Sequence, residues 1–213
     1  MILSVILQTA VAAIFSMSFD NGKVPGVSGQ AEFFDGFDSR VVVKAEELPV
    51  PATHFTVDMW ACPIAFPKSP CPLACRLRND VPGGWTLWLD AWGKVHFQVA
   101  NGGEWIEIVA PESIPLRQWS RVTAMFRGSN GLYLAIDGKQ VAKLDSDLPA
   151  VNQKEYDLWV GRTPVRVPSF MENKGVPIYS SFDGAIDELK IYPTNSDLSS
   201  GLSAISYKAF NSK

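Results

Sequence analysis

The sequence predicts an all-β protein made of two antiparallel sheets packed face to face as a sandwich. Three observations predict it. Short runs of β-branched and aromatic residues alternate in polarity with a period of two. Gly, Pro, Asn and Asp punctuate those runs at short intervals. The length of 213 residues suits a single sandwich, and a hydrophobic content of 46% is enough for a sizeable core. One domain over 1–213 is therefore expected, with a short helix or tail over about 197–213, where Leu202, Ile205 and Phe210 share a helical face.

Residues 1–15 carry no charge and allow two readings. One is a buried strand running to Phe19. The other is a signal remnant with small residues at Val11-Ala12-Ala13. The missing Lys or Arg near the start favours the strand, and Gln8 and Thr9 interrupt what would otherwise resemble a membrane span. Phe55, Val57 and Met59 alternate with Thr56, Asp58 and Trp60, and Pro63 is expected to end that strand. Cys62, Cys71 and Cys75 then fall in a proline-rich stretch with Pro67, Pro70 and Pro72, read as a loop. Either one disulfide pins this loop or the three thiols are free; an odd count always leaves one over.

Trp85, Leu87 and Leu89 alternate with Thr86, Trp88 and Asp90, and Asp90-Ala91-Trp92-Gly93 forms a turn into Val95–Val99. A second turn at Asn101–Gly103 leads into Trp105–Val109. Val122–Phe126 is a strand, and Gly131–Ile136 reaches Asp137-Gly138, a tight-hairpin signal because both residues tolerate positive φ. Val141–Leu144 closes that hairpin. Leu158–Val160 and Ile186–Tyr192 complete the set, and 48–51 and 164–178 are the longest expected loops.

The net charge of −3 and the scattered Lys and Arg argue against a nucleic-acid partner and against a membrane surface. No metal-binding cysteine spacing, nucleophile elbow, phosphate loop or metalloprotease motif occurs. His54 and His96 have no serine or cysteine partner in sequence and are read as packed or surface residues. Glu104 and Glu107 have opposite strand parity. Asp183 and Asp187 share parity, but no third acid completes a set.

Seven tryptophans invite a sugar-binding reading, because apolar C–H faces of sugars stack on aromatic rings. Trp85 and Trp88 have opposite parity, so at least one leaves the core. Trp92, at a turn centre beside Gly93, is expected at the tip of a platform with Trp88 and Trp105 beside it.

Several segments occur in the order found in laminin-G-like jelly rolls of the concanavalin A-like lectin/glucanase type. Phe19-Asp20-Asn21-Gly22 resembles their opening strand and loop, and Phe34-Asp35-Gly36 with Arg40–Val43 a following strand. Phe55–Trp60, Trp119–Val122, the Leu132–Gly138 hairpin and the closing run Phe182–Tyr192 are similar to further family strands. The step from Ile114 to Trp119 resembles N-terminal modules of bacterial fructan-hydrolase-like proteins.

The resemblance implies a jelly-roll fold and a non-catalytic carbohydrate-binding or accessory role. An oligo- or polysaccharide would be the partner, and a glycoside hydrolase domain a possible neighbour. The location would be extracellular, cell-surface or periplasmic, and the rival reading is a structural or protein-interaction domain. Laminarinase-like enzymes of this fold carry E-x-D-x-E or E-x-D-x-x-E on one strand, and neither occurs here. The pentraxin and galectin sugar motifs are absent as well. Many laminin-G-like folds hold calcium where the first loop meets the last strand, and Asp20 and Asp187 match those segments; turn formation is the alternative role for Asp20. Trp60 and Trp119 fall at family positions and are expected in the core, as is Trp159.

Overall fold

The computed structural model describes residues 13, 15–48, 53–77, 82–101, 103–166 and 179–193. Its strands are β1 (Phe15–Met17), β2 (Val24–Pro25), β3 (Gln30–Asp35), β4 (Val41–Val43), β5 (Phe55–Ala65), β6 (Cys71–Leu77), β7 (Gly84–Leu89) and β8 (Lys94–Asn101). They continue as β9 (Glu104–Ser113), β10 (Ser120–Phe126), β11 (Leu132–Ile136), β12 (Lys139–Leu144), β13 (Leu158–Val160), β14 (Arg162–Arg166), β15 (Tyr179–Ser181) and β16 (Asp183–Tyr192). Two short 3₁₀ turns, Ala45–Glu47 and Gly128–Asn130, are the helical segments among the described residues.

One sheet has the order β12-β11-β10-β5-β16-β3-β2, with β1 also on β16. The second has the order β4-β13-β6-β7-β8-β9, and β14 and β15 pair separately. The pairings are antiparallel throughout. The fold is the expected all-β sandwich.

Strict alternation builds the core. Phe55, Val57, Met59, Val122, Ala124 and Phe126 face inward from the first sheet, and Trp85, Leu87, Leu89, Val95, Phe97 and Val99 from the second. Phe55 ties the layers together, its ring centroid 5.9 Å from Trp85, 6.4 Å from Phe97 and 5.3 Å from Phe126. Each such ring, fully buried, contributes on the order of 1.5–3 kcal/mol.

Four expectations change. β1 ends at Met17, not Phe19, because Phe19 turns the chain at φ 60. Pro63 does not end its strand. β5 runs on to Ala65 because the register of β16 slips between Asp183 and Gly184 opposite Pro63, and a bulge accommodates a residue that lacks an N–H. Cys71–Leu77, read as loop, is a central strand of the second sheet. The expected loop at 164–178 begins as strand β14, so Pro164 is in a strand; residues 167–178 lie outside the described residues. The readings for 1–12 and for a helix near 202–210 also fall outside them.

The hairpins form as expected. Asp90 Oδ1 accepts the N–H groups of Trp92 and Lys94, and Gly93 donates to the Asp90 carbonyl. Asp137 and Gly138 both have positive φ between the paired Ile136 and Lys139.

Candidate functional site

The outer face of the second sheet carries the most distinctive surface. Alternation that sends Trp85, Leu87 and Leu89 inward sends Thr86 and Trp88 outward, and the β7–β8 register sets Thr86 against Gln98 and Trp88 against His96. On β6, Pro72 pairs with Trp88, and a register slip between Pro72 and Ala74 keeps Pro72 on the outer side. These residues, with Leu77, floor a groove of about 380 Å³. Pro70 and the β14–β15 ribbon, through Thr163, Val165 and Ser180, form its wall. The Ser69 and Ser180 hydroxyls meet at 3.1 Å and join ribbon to loop.

Trp88 is half-buried, one ring face packed on His96 with centroids 3.8 Å apart and planes 20° apart. Its indole N–H is buried and has no acceptor among the described residues. His96 is held at both nitrogens, Nδ1 3.0 Å from Glu107 Oε1 and Nε2 3.3 Å from Asp90 Oδ2. Gln98 donates to the same Glu107 oxygen at 2.7 Å. Burial pushes the Asp90 carboxyl up, but the Lys94 N–H, His96 and the Trp92 N–H together hold it below the usual range. The described lining is chemically simple: one indole, aliphatic and prolyl carbons, four hydroxyls or amides at the rim and floor, and no charged side chain.

The structure does not gather the three expected platform tryptophans. Trp88 is in the groove. Trp92 is 72% exposed at the β7–β8 tip, outside the lining. Trp105 pairs with Ala100 while His96 pairs with Val109, so Trp105 sits four residues along β9 from the level of Trp88. At the strand rise and spacing that is roughly 13 Å along the strands and two strands across. Trp85 is core, its indole N–H donating to Gln153 Oε1 at 2.8 Å. Trp119 is buried; Trp60 is half-buried against a small cluster with Cys62, and Trp159 is half-buried beside Arg162.

Sequence reasoning missed Pro72, Thr86, Gln98, Thr163, Val165 and Ser180. Thr86 and Gln98 were accessible from hairpin register, since they share parity with Trp88. The ribbon residues carry no local signal, because they reach the groove from a distant part of the chain.

Asp20 and Asp187 both reach the turn in which Gly26 N–H bonds the Gly29 carbonyl. A Cβ on Gly26 would lie 2.4 Å from Asp187 Oδ2, and one on Gly29 2.4 Å from Asp20 Oδ1. The carboxylates do not fit a cation. Asp187 is fully buried and accepts N–H groups from Val27, Ser28 and Glu188 at 2.8, 3.2 and 2.8 Å. Burial nevertheless keeps its carboxyl raised. Asp20 is exposed and accepts the Ser18 hydroxyl at 2.8 Å. The Gln30 amide nitrogen donates to the Gly22 carbonyl oxygen at 2.6 Å and to that of Asp20 at 3.3 Å, which fills the space beside them. Among the described residues no three His, Cys, Asp or Glu side chains come together in a metal-binding group.

A larger pocket of about 600 Å³ opens between the end of β9 and the β11–β12 hairpin. Pro111, Ile114, Ile136 and Val141 line it, and its described lining has no aromatic ring to stack on.

No curated protein is a significant match by sequence. Among solved structures, the chain is similar to the CBM40 of Ruminococcus gnavus IT-sialidase bound to alpha2,3 sialyllactose, at 12% identity and TM-score 0.61, covering 85% of this chain and 92% of that one. It is also similar to domain 4 of AbnA, a GH43 extracellular arabinanase from Geobacillus stearothermophilus in complex with arabinotriose, at 18% identity and TM-score 0.63, again covering 85% and 92%. A third likeness is to NanB sialidase of Streptococcus pneumoniae, at 12% identity and TM-score 0.64, covering 94% of this chain but 29% of that one. At these identities the likenesses establish the fold. Residues 35–197 match the family profile of the concanavalin A-like lectin/glucanases superfamily, and the chain belongs to that superfamily.

Proposed function

We propose that the chain is a non-catalytic carbohydrate-binding module and that the Trp88 groove takes a neutral oligosaccharide. One observation carries this reading: a half-exposed indole, backed by His96, lies in a groove rimmed by uncharged hydrogen-bonding groups. An indole face offers a sugar its C–H stacking surface, and Thr86, Gln98, Thr163 and Ser180 offer donors and acceptors for hydroxyls. With no cation in the described lining, and with Glu107 and Asp90 close behind Trp88, a carboxylated sugar is disfavoured. The similar domain 4 of the arabinanase, in complex with arabinotriose, and the sialidase CBM40, bound to sialyllactose, support a glycan as partner. A secreted or surface glycan-processing system, with a glycoside hydrolase as neighbour, is the matching context. The non-catalytic reading is supported by the acids nearest the groove among the described residues: Asp90 and Glu107 are both engaged by His96 and so do not form a free acid and base pair.

Calorimetric titration with arabinotriose, other neutral oligosaccharides and sialyllactose tests this. Binding of a neutral sugar is expected, and Trp88→Ala should weaken it by about 1–3 kcal/mol, as for stacking on an aromatic ring. Trp92→Ala should leave it unchanged. Full binding by the Trp88 variant, or a preference for sialyllactose, would overturn the assignment. The protein-interaction reading would gain if Trp92→Ala removed the only binding seen.

A further inference from the structure

We propose that the Trp88 groove is one end of a longer site with Trp105 as its second stacking residue, so that the ligand is a linear neutral chain of at least about four sugars. This deepens the reading of the groove as a sugar site and rests on it.

Strand parity puts Trp105 on the same face as Trp88. On β9, Ile108 is buried and Ile106 packs against the core, so Trp105, Glu107 and Val109 point outward. Glu107 marks that face, because its Oε1 accepts from Gln98 and lies 3.0 Å from His96 Nδ1. The register then fixes the spacing. Trp88 pairs with His96 and His96 with Val109; Thr86 pairs with Gln98 and Gln98 with Glu107; Ala100 pairs with Trp105. Trp88 on β7, Gln98 on β8 and Trp105 on β9 are therefore each two residues further along and one strand further across. They fall on one diagonal. Each step is roughly 7 Å along the strands and 5 Å across, which sets the Trp88 and Trp105 backbones about 17 Å apart.

The side chains along that diagonal suit a sugar chain. Trp88 and Gln98 both line the groove, so the line leaves it on the Gln98 side. Both printed contacts of Glu107 fall on Oε1, and its side chain is 34% exposed, so Oε2 can accept a hydroxyl of a sugar passing over Gln98. Ala100, opposite Trp105, presents only a methyl group. Trp105 is half-buried on the last strand of its sheet, and beside it a Cβ on Gly103 would stand in open space. An outward indole on an edge strand buries little for the fold, and a stacked sugar gives its open face a partner.

Each sugar of an extended chain advances by about one strand spacing, roughly 5 Å. The span between the indoles is about three such steps, so the first sugar stacks on Trp88 and the fourth on Trp105. A trisaccharide would reach one indole and not the other. Two stacks on one chain are linked binding events, so affinity rises with length until both are engaged and then levels off.

The test is calorimetric titration of the intact chain with linear arabino-oligosaccharides and with cello-oligosaccharides, each from the trisaccharide to the hexasaccharide. In the series that binds, affinity should rise about tenfold between the trisaccharide and the tetra- or pentasaccharide, as one further stacked ring supplies, and then stay level. Trp105→Ala should bring the hexasaccharide down to the affinity of the trisaccharide, whereas Trp88→Ala should weaken every length. Indole ¹⁵N resonances of the parent chain separate contact from any change of fold in the variants. The hexasaccharide should move those of Trp88 and Trp105, and the trisaccharide that of Trp88 alone. A trisaccharide that binds as tightly as the hexasaccharide, or a rise that survives in Trp105→Ala, overturns the extended site and leaves the groove reading standing. Absence of binding at every length in both series overturns the groove reading and the extension with it.

Discussion

At the scale of single residues, identity and role separate. Asp20 and Asp187 fall where the family resemblance points, at the first loop and last strand, yet their carboxylates are engaged by N–H and O–H donors. The donors to Asp187 include Val27 and Ser28, about 160 residues away in sequence, so nothing local to Asp187 announces them. Gln30, which no sequence argument singled out, is the side chain that meets the loop carbonyls. With the Gln30 amide nitrogen bridging these carbonyls and Asp187 satisfied by N–H groups, melting curves in calcium and in chelator should coincide. A calcium ion bound at this loop in hundredfold excess over its dissociation constant would instead add about 2.7 kcal/mol. For a chain of this size that is a rise in melting temperature of roughly 5–10 °C, and such a rise would overturn the hydrogen-bonded account of the loop. The tryptophans teach the same point. Parity separated Trp85 from Trp88 correctly, whereas the turn position that exposes Trp92 says nothing of whether a groove lies beside it.

At the scale of elements, alternation made most strands legible, and proline misled where a bulge or an outward-facing position absorbs it. Pro63 lies opposite the β16 bulge, and Pro72 beside the irregularity in β6, so the proline-rich stretch hides a central strand. The joint between β13 and β14 was equally hidden. Gly161 donates its N–H to the Leu73 carbonyl and accepts from the Phe182 N–H, so one residue links β6 of the second sheet to the start of the closing strand. It does so at φ 76, and a Cβ there would stand 2.0 Å from the Phe34 ring, which is fully buried. Gly161→Ala should therefore destabilise the chain by about 2–4 kcal/mol, from backbone strain and overpacking together. Because β14 leads on from this joint to the groove wall, denaturant melts of this variant should show the loss while Trp92→Ala stays within about 0.5 kcal/mol of the parent chain. A Gly161→Ala chain as stable as the parent would mean that Phe34 can move aside at little cost.

At the scale of the whole molecule, the order of short motifs revealed the sandwich because each strand carries its own period, while the groove is made by joining β6, β7 and β8 to a ribbon at 162–166 and 179–181. The three cysteines show how far such long-range placement reaches. Adjacent in sequence, they are dispersed by the fold. Cys71 faces the core and Cys75 the opposite side of the same strand, paired with Leu89 and Thr86 respectively, and Cys62 packs on the far face of the other sheet with Trp119 and Ala185. Thiols on opposite faces of a sheet cannot approach the short Cβ separation of a disulfide, and all three are free and buried. Burial pushes the Cys62 thiol up to about 11 and the other two further, which leaves almost no thiolate at neutral pH. A thiol reagent should then label none of the three in the native chain and all three together on global unfolding, with labelling rates that track the unfolding equilibrium. The melting temperature should not change with reductant. A cysteine that reacts while the sheets stay folded, or a stability that falls when reductant is added, would show that the proline-rich stretch opens independently of the sandwich or is pinned by a bond that this packing forbids.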